Sequence, residues 1–405
     1  MALNTALSGI NAAQSDLNVI SNNIANANTT GFKGSRAEFS EVFAVTGLNL
    51  NSTAVGSGAR LQDVAQQFSQ GDIATTSNSL DLAISGNGFF TLDNGNGVSY
   101  SRAGNFQTDP NNFVINPDGA KLQVYPPTGA GGFDTSTLVP LQLLSAQSQA
   151  TPTSQVTLSA NLPADASVPA NSFDPTDGTS YNASTPVTVY DSQGGTHQAT
   201  LYYVKTGTNS WNANLYVDGA SAGTQPMTFS TSGKLVTPAN GNLAFNPVSG
   251  GSGANPLSLS VNFSNTTQFG TDYSTGSINQ NGFAAGTFTS IDIDSKGVVT
   301  ANYSNNQSAQ VGQLALANFA NLQGLRQLGN TNWAASGDSG SAVRGTAGTG
   351  QFGVVQAGAL ENSNTADTTA QLVAMIQAQR DYQANAQVLG TDSTLTTALF
   401  NAVSR

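Results

Sequence analysis

Apolar residues recur at the two ends of the chain with a helical step. At the N-terminus Leu3, Leu7, Ile10, Leu17 and Ile24 fall on one stripe with alternating steps of three and four, and Gln14 and Ser21 fill its two polar slots. At the C-terminus Leu372, Met375, Tyr382, Ala386, Leu389 and Phe400 repeat the pattern with Ile376 beside them, interrupted by Gln379, Ser393 and Thr396. This spacing predicts an amphipathic helix at each end. Proline, the strongest helix breaker, agrees: all 14 prolines lie from Pro110 to Pro256.

Between the ends the pattern is that of β-structure. DLAISGNGFFTL (81–92) alternates around a Gly-Asn-Gly turn. Thr185–Asp191, then SQGG, then His197–Val204 reads as a hairpin, and Ile291–Tyr303 reads as another that turns at Asp294–Gly297. Further turn signals stand at Asn96-Gly97, Asp118-Gly119, Asp177-Gly178 and Asn281-Gly282. Residues 146–284 are rich in Pro, Gly, Ser and Thr and contain no Glu. The expected fold is mainly β with α-helical termini: nested, discontinuous β domains and a coiled-coil-like terminal helix pair. The expected boundaries are a helical domain at 1–24 and 365–405, a connector at 25–71 and 354–364, an inner β domain at 72–145 and 285–353, and an inserted outer β domain at 146–284.

Neither terminal helix is expected to stand alone, because isolated helices are marginal in water and Gly9 and Gly390 each cost up to about 1 kcal/mol against Ala. The two ends could pair within one molecule. The polar gaps in both stripes favour instead ends that stay loose in the monomer and order when copies stack.

Composition narrows the function classes. Only 9% of the 405 residues are charged, and the net charge is −11 with 12 Lys and Arg. A nucleic-acid binder normally carries a basic face, so that class is not expected. There is no cysteine, which excludes a disulfide scaffold, a thiolate metal site and a cysteine nucleophile. The first residues, MALNTALSGINAAQSDL, lack a basic n-region and an unbroken apolar run, so no cleaved signal peptide is expected, and no window is apolar enough to insert in a membrane.

Candidate chemistry is sparse. The single histidine, His197, lies near Asp191 and Ser192, but all three sit around one hairpin turn, whereas a triad draws its members from separate elements. With one histidine and no cysteine, no zinc site is expected. Gly348, Gly350 and Gly353 match G-x-G-x-x-G, yet a strand-like segment follows where a dinucleotide loop would open a helix. DPNNFVINPDG (109–119) lacks the glycine and glutamate of a calcium loop and reads as turns, and Asp292 and Asp294 read as a solvated strand end. No catalytic residue, cofactor or metal is expected.

The distinctive stretch is a polar elbow just after the first helix, SNNIANANTTGFKG (21–34), with Ser21, Asn22, Asn23, Ala25, Asn26, Gly31, Phe32 and Lys33 as its candidate functional residues. Asn and Gly tolerate left-handed backbone, and Asn, Ser and Thr side chains bond neighbouring backbone. Phe32 is expected to anchor the turn by burial, and Lys33 to meet a carboxylate of a neighbouring copy.

That elbow resembles the N-terminal signature shared by the rod, hook and hook–filament junction proteins of bacterial flagella. GALENSNTADTTAQLVAMIQAQRDYQANAQVLGTDSTL resembles the C-terminal segment of the same axial family, and DLAISGNGFF and YSRAGNFQTD resemble its β-rich core. VTVYDSQGGTH, NYSNNQSAQVGQLALANFAN and GTAGTGQFG followed by GALE resemble the family's hook members. One departure is local: Thr365-Ala366-Asp367 stands where the family usually has Val-Asp-Leu, which shifts the acid at the start of the last helix by one position. The resemblance implies an extracellular structural polymer, exported by the flagellar type III apparatus, with the stripes Leu3, Leu7, Ile10, Leu17 and Ile24 and Leu372, Met375, Ile376, Tyr382 and Leu389 mediating polymerisation. It implies as partners further copies of the chain, the hook cap, the distal rod and the junction proteins. Two other readings stand beside it: a distal rod protein, which usually lacks so long an insert, and a secreted β-rich adhesin, whose aromatic binding face would use Trp211 and Trp333.

Overall fold

A computed structural model describes residues 2–42, 56–95, 97–129, 131–143, 148–251 and 253–403. Asn96, of one predicted turn, and the 145/146 boundary lie outside them. The fold is mainly β, with one long helix at each end. Two compact units are present: residues 1–143, 291–301 and 309–405 form the first, 144–290 and 302–308 the second.

In the first unit a mixed-length antiparallel sheet is built around Phe89–Asp93, which pairs with Val98–Ser101 on one side and with Lys121–Tyr125 and Ser308–Asn318 on the other. Side chains alternate across a strand, so the consecutive Phe89 and Phe90 serve opposite faces. Phe90 joins Leu82, Ile84, Leu92, Leu122, Leu314 and Leu316 in one core. Phe89 joins Tyr100, Phe319 and Trp333 in another, with Phe68 against it. The hairpin predicted at Ile291–Tyr303 forms, turning where Gly297 N–H donates to the Asp294 carbonyl at 2.9 Å.

The second unit holds two five-stranded sheets. One is an antiparallel meander, Ala183–Tyr190, Thr196–Gly207, Ser210–Val217, Ala220–Phe229 and Leu235–Thr237, and contains the other predicted hairpin. The second sheet centres on Gln155–Pro163, flanked by Ser260–Asn262, Thr267–Phe269 and Ser274–Gln280. Every second residue of Gln155–Pro163 is buried, as a half-buried strand requires. Leu158, Leu201, Tyr203, Trp211, Leu215, Met227 and Phe263 share a single core drawn from both sheets.

Helix α1 (Ala2–Ala25) and helix α2 (Thr368–Val403) are both formed and pack within one chain. They run antiparallel, with Gly9 against Asn385 at one end and Asn23 against Thr365 at the other. Asp367 starts α2: its Oδ1 accepts from the backbone N–H of Thr369 at 3.1 Å and Ala370 at 3.2 Å, as an N-cap does.

The two ends thus pair within one chain, the first of the two arrangements the sequence left open. The reason is a seam the apolar stripe did not reveal. The buried positions of α1 are Ala6, Ala13, Ile20 and Asn23, and continue to Ala27 beyond its end; that of α2 is Ala378. Small side chains let the backbones approach, and Gly9 extends this: a Cβ there would come within 2.5 Å of the Asn385 side chain. The apolar stripes lie largely off the seam. Leu3 and Leu7 are 44% and 47% exposed, and Leu372 and Ile376 both 49%. Ile10, Leu17, Ile24, Met375 and Leu389 are half-buried, and Tyr382 is exposed. With 24 residues against 36, α1 is about 18 Å shorter than α2. The last turns of α2 extend past it, leaving Leu395, Leu399 and Phe400 exposed.

Candidate functional site: a buried elbow and the free faces of the terminal helices

The elbow is a run of turns closed by its own backbone. Asn26 N–H donates to the Asn22 carbonyl, Thr29 N–H to that of Asn26 and Phe32 N–H to that of Thr29. The Asn26 amide also donates to the Asn22 carbonyl. Gly31 has φ +67°, the left-handed conformation that favours glycine, and its N–H donates to the Glu361 carbonyl at 2.7 Å. Ser21, Asn22 and Ala25 face solvent and Asn26 is half-buried, whereas Asn23, Gly31, Phe32 and Lys33 are buried. Phe32 anchors the turn by burial, as expected.

Asn23 works as a strand mimic. Its Oδ1 accepts from Ser35 N–H at 2.9 Å and its Nδ2 donates to the Ser35 carbonyl at 2.8 Å. Thr365 Oγ1 donates to the Asn23 carbonyl at 3.0 Å, and Gly34 N–H to Asn364 Oδ1 at 2.7 Å. The residues just before α2 therefore grip the residues just after α1.

At the centre is a buried ion cluster. Lys33 Nζ lies 2.6 Å from Glu361 Oε1 and donates to the Ser69 carbonyl at 2.8 Å. Glu361 Oε1 also accepts from Gly71 N–H, and Oε2 from Arg102 Nε at 2.8 Å. Arg102 Nη1 donates to the carbonyls of Gly86 and Gly88, in the predicted Gly-Asn-Gly turn. Lys33, Glu361 and Arg102 are 2%, 0% and 4% exposed. Burial pulls the Lys33 ammonium below the usual lysine range, with the attraction of Glu361 opposing it and Arg102 adding to it. Lys33 thus meets a carboxylate of its own chain, not of a neighbour. A cation removed from water needs an internal partner in every copy, assembled or not.

The sequence reading missed Glu361, Arg102, Asn364 and Thr365. Glu361 carried one faint signal: it is one of three glutamates in the chain, and the only one beyond residue 41.

The features weighed for chemistry resolve as structure. His197 Nδ1 lies 2.6 Å from Asp218 Oδ2, and Nε2 3.2 Å from Asp191 Oδ2. Both ring nitrogens face carboxylates, and neither contacts Ser192, whose hydroxyl accepts from Asn255 N–H. The hydrogen bond to Asp218, then that to Asp191, raises His197 above the ordinary histidine value against the opposing effect of burial. Asp109, Asn116 and Asp294 accept backbone N–H groups of their own turns. Gly348 N–H closes a loop onto the Gly353 carbonyl, and strand Val354–Ala357 follows. Among the described residues no group of three or more His, Asp or Glu could hold a metal, and no helix is long and apolar enough to cross a membrane. Trp211 and Trp333 are each 1% exposed and belong to different cores, so they form no common binding face.

A β-rich body, both chain ends brought back to one buried clamp, and helices with unpartnered apolar faces define a self-associating structural subunit. Comparison with known proteins gives the family. The flagella basal body rod protein pattern matches residues 3–33, and the flagellar hook protein FlgE/F/G D1 domain matches 83–169. The flagellar basal body protein FlaE D2 domain matches 161–283, and the flagellar basal body rod FlgEFG protein C-terminal pattern matches 356–401. The chain is 40% identical to the flagellar hook protein FlgE of Escherichia coli K12, covering 99% of this chain and 100% of that protein. It is 39% identical to that of Salmonella typhimurium, with the same coverage, and 35% identical to that of Rhizobium meliloti, with 98% of each chain covered. The crystal structure of Helicobacter pylori flagellar hook protein FlgE2 shares the fold, with a TM-score of 0.51 at 14% identity over 70% of this chain and 99% of that one. The chain belongs to the flagellar hook protein FlgE family.

Proposed function

We propose that this chain is the structural subunit of the bacterial flagellar hook, polymerising into a curved hollow tube that acts as a universal joint and passes motor torque to the filament. The observation that carries this reading is the similarity to named hook proteins over essentially the whole of both chains, with residues 161–283 of the expected 146–284 insert matching the flagellar basal body protein FlaE D2 domain. That insert favours the hook over the distal rod.

The physical chemistry of the helices supports it. Leu3, Leu7, Leu372, Ile376, Leu395, Leu399 and Phe400 are large apolar side chains left exposed in one copy. An apolar surface of this kind on a soluble chain is a contact waiting for a partner. Copies joined through different surfaces, head to tail, build a helix when the rotation does not close. The polar, charge-poor surface of the β units suits outer contacts that exchange hydrogen bonds and water as the tube bends. In this reading the subunit lies outside the cell in the flagellum, after export by the flagellar type III apparatus. Its partners are further copies, the hook cap, the distal rod and the hook–filament junction proteins.

Electron microscopy of basal bodies from the host lacking this gene tests the proposal. A complete rod with no hook is the expected result. A missing or truncated rod moves the protein to the rod, and hooks of normal form reject the reading.

A further inference from the structure

We propose that Glu361 is a positioning residue that makes competence for assembly conditional on the chain's C-terminal segment being in place. The proposal rests on the reading of the chain as a hook subunit.

The elbow has local partners in its own turns, in Ser35, in Gln67 and in Ser69, but its remaining bonds come from the far end of the chain. Gly31, Lys33, Gly34 and Asn23 bond to Glu361, Glu361, Asn364 and Thr365, across as many as 342 residues. Glu361 arrives on the short strand Ala359–Glu361, which pairs with Ile73–Thr75 so that Glu361 stands opposite Ile73. Until that strand docks, closing the elbow would bury Lys33 beside Arg102 with no anion between them. Two buried cations without a counter-charge are strongly unfavourable, so Lys33 stays in water and the direction of α1 is not set.

The hydrophobic cores do not wait for this. None of the three clusters contains a residue from 21–34 or 359–365. The two units can fold with the elbow open, and the elbow closes when Glu361 supplies the missing charge. A chain delivered through strand Val354–Ala357 but lacking the charge at residue 361 can complete the β cores, while its first helix is held only by contacts such as Asn23–Ser35 and Ser8–Ala59 and presents a less fixed surface to the polymer.

Full-length Glu361→Gln tests this. Lys33 is the first of five lysines, the next being Lys121, so a lysine-specific protease acting there releases a 33-residue fragment. Removing one partner of a buried pair raises the open population about 10²–10⁴-fold, and the release rate should rise with it. The combined fluorescence of Trp211 and Trp333, one in each unit's core, should stay native and polymerisation should be lost. The double variant Lys33→Met with Glu361→Gln removes the second buried cation, leaving Arg102 with the Gly86 and Gly88 carbonyls as partners, and should recover most of the hydrogen-exchange protection at the Gly31, Phe32 and Gly34 amides together with assembly. Simple loss of the fold would not be rescued this way. Wild-type protection of Lys33 in Glu361→Gln overturns the proposal, as does normal polymerisation with an open elbow. If the wild-type chain itself forms no polymer, the hook reading fails, while the Lys33 contrast still decides whether Glu361 closes the elbow.

Discussion

Gly31→Val puts the elbow geometry to a sharp test. A Cβ at Gly31 would lie 2.4 Å from Ala103 N, 2.7 Å from Ala103 Cα and 2.8 Å from Arg102 C, all backbone atoms that cannot swing aside. The left-handed φ of +67° adds about 1–2 kcal/mol for a residue with a side chain, and more for a β-branched one. Relief requires the elbow to move off the body. That forfeits the Gly31–Glu361 backbone bond, worth about 1 kcal/mol, and the burial of Phe32, worth about 2 kcal/mol. It also strips Lys33 from Glu361, at about 3–5 kcal/mol. The φ strain alone is smaller than these lost contacts, so the outcome rests on the overlap of Cβ with three backbone atoms, which no rotamer change relieves; on that ground the elbow should open while both β units stay folded. Hydrogen exchange should show residues 21–34 losing protection with the amides of Thr196–Gly207 unchanged, and sedimentation should show polymerisation falling. Gly31→Ala should reproduce most of the effect, because the clash is already complete at Cβ. A Val variant with wild-type elbow protection would refute the geometric argument. An opened elbow with normal polymers would reduce it to a connector with no part in assembly.

The helix seam gives a second test: Ala378→Leu, at a position 2% exposed, should overpack α1 against α2 and cost about 1–3 kcal/mol, read as faster exchange in both helices. Asp16 is raised above the usual carboxylate range by burial and by Asp381 across the seam, so Asp16→Asn should slow exchange in the helix pair at neutral pH, and faster exchange would contradict the geometry. In the second unit, His197 is raised by Asp218 and Asp191, so the stability it contributes is fully present below the unfolded histidine value near 6.5 and lost as pH rises through the higher folded one. Urea titrations should show this alkaline loss, and His197→Asn should abolish it. Replacing Leu395, Leu399 and Phe400 together by Ser should leave the monomer's melting transition unchanged and block polymerisation, since these side chains are 67–77% exposed in the single chain; a melting point that falls instead would mean that they pack internally.

Much of this protein was legible in the sequence because local physics writes local patterns. A period near 3.6 marked both terminal helices, and period-two alternation with Asp and Gly turns marked the hairpins at Thr185–Val204 and Ile291–Tyr303. The absence of proline before Pro110 and beyond Pro256 left both ends free to be helical, and a single histidine with no cysteine narrowed the chemistry to look for. The elbow residues themselves stood out as an Asn-rich run ending in Gly-Phe-Lys. Tertiary structure alone decided the partners. The apolar stripe predicted that a helix has a sticky side, but not that its own partner takes a face rich in small residues and leaves Leu3, Leu7, Leu372 and Ile376 exposed, because close backbone approach rewards small side chains that carry no strong hydrophobic signal. Lys33 and Glu361 stand 328 positions apart, and an ion pair between distant segments leaves no spacing to read. Only the folded chain brings the two charges into one dry site, and there each determines what the other must be.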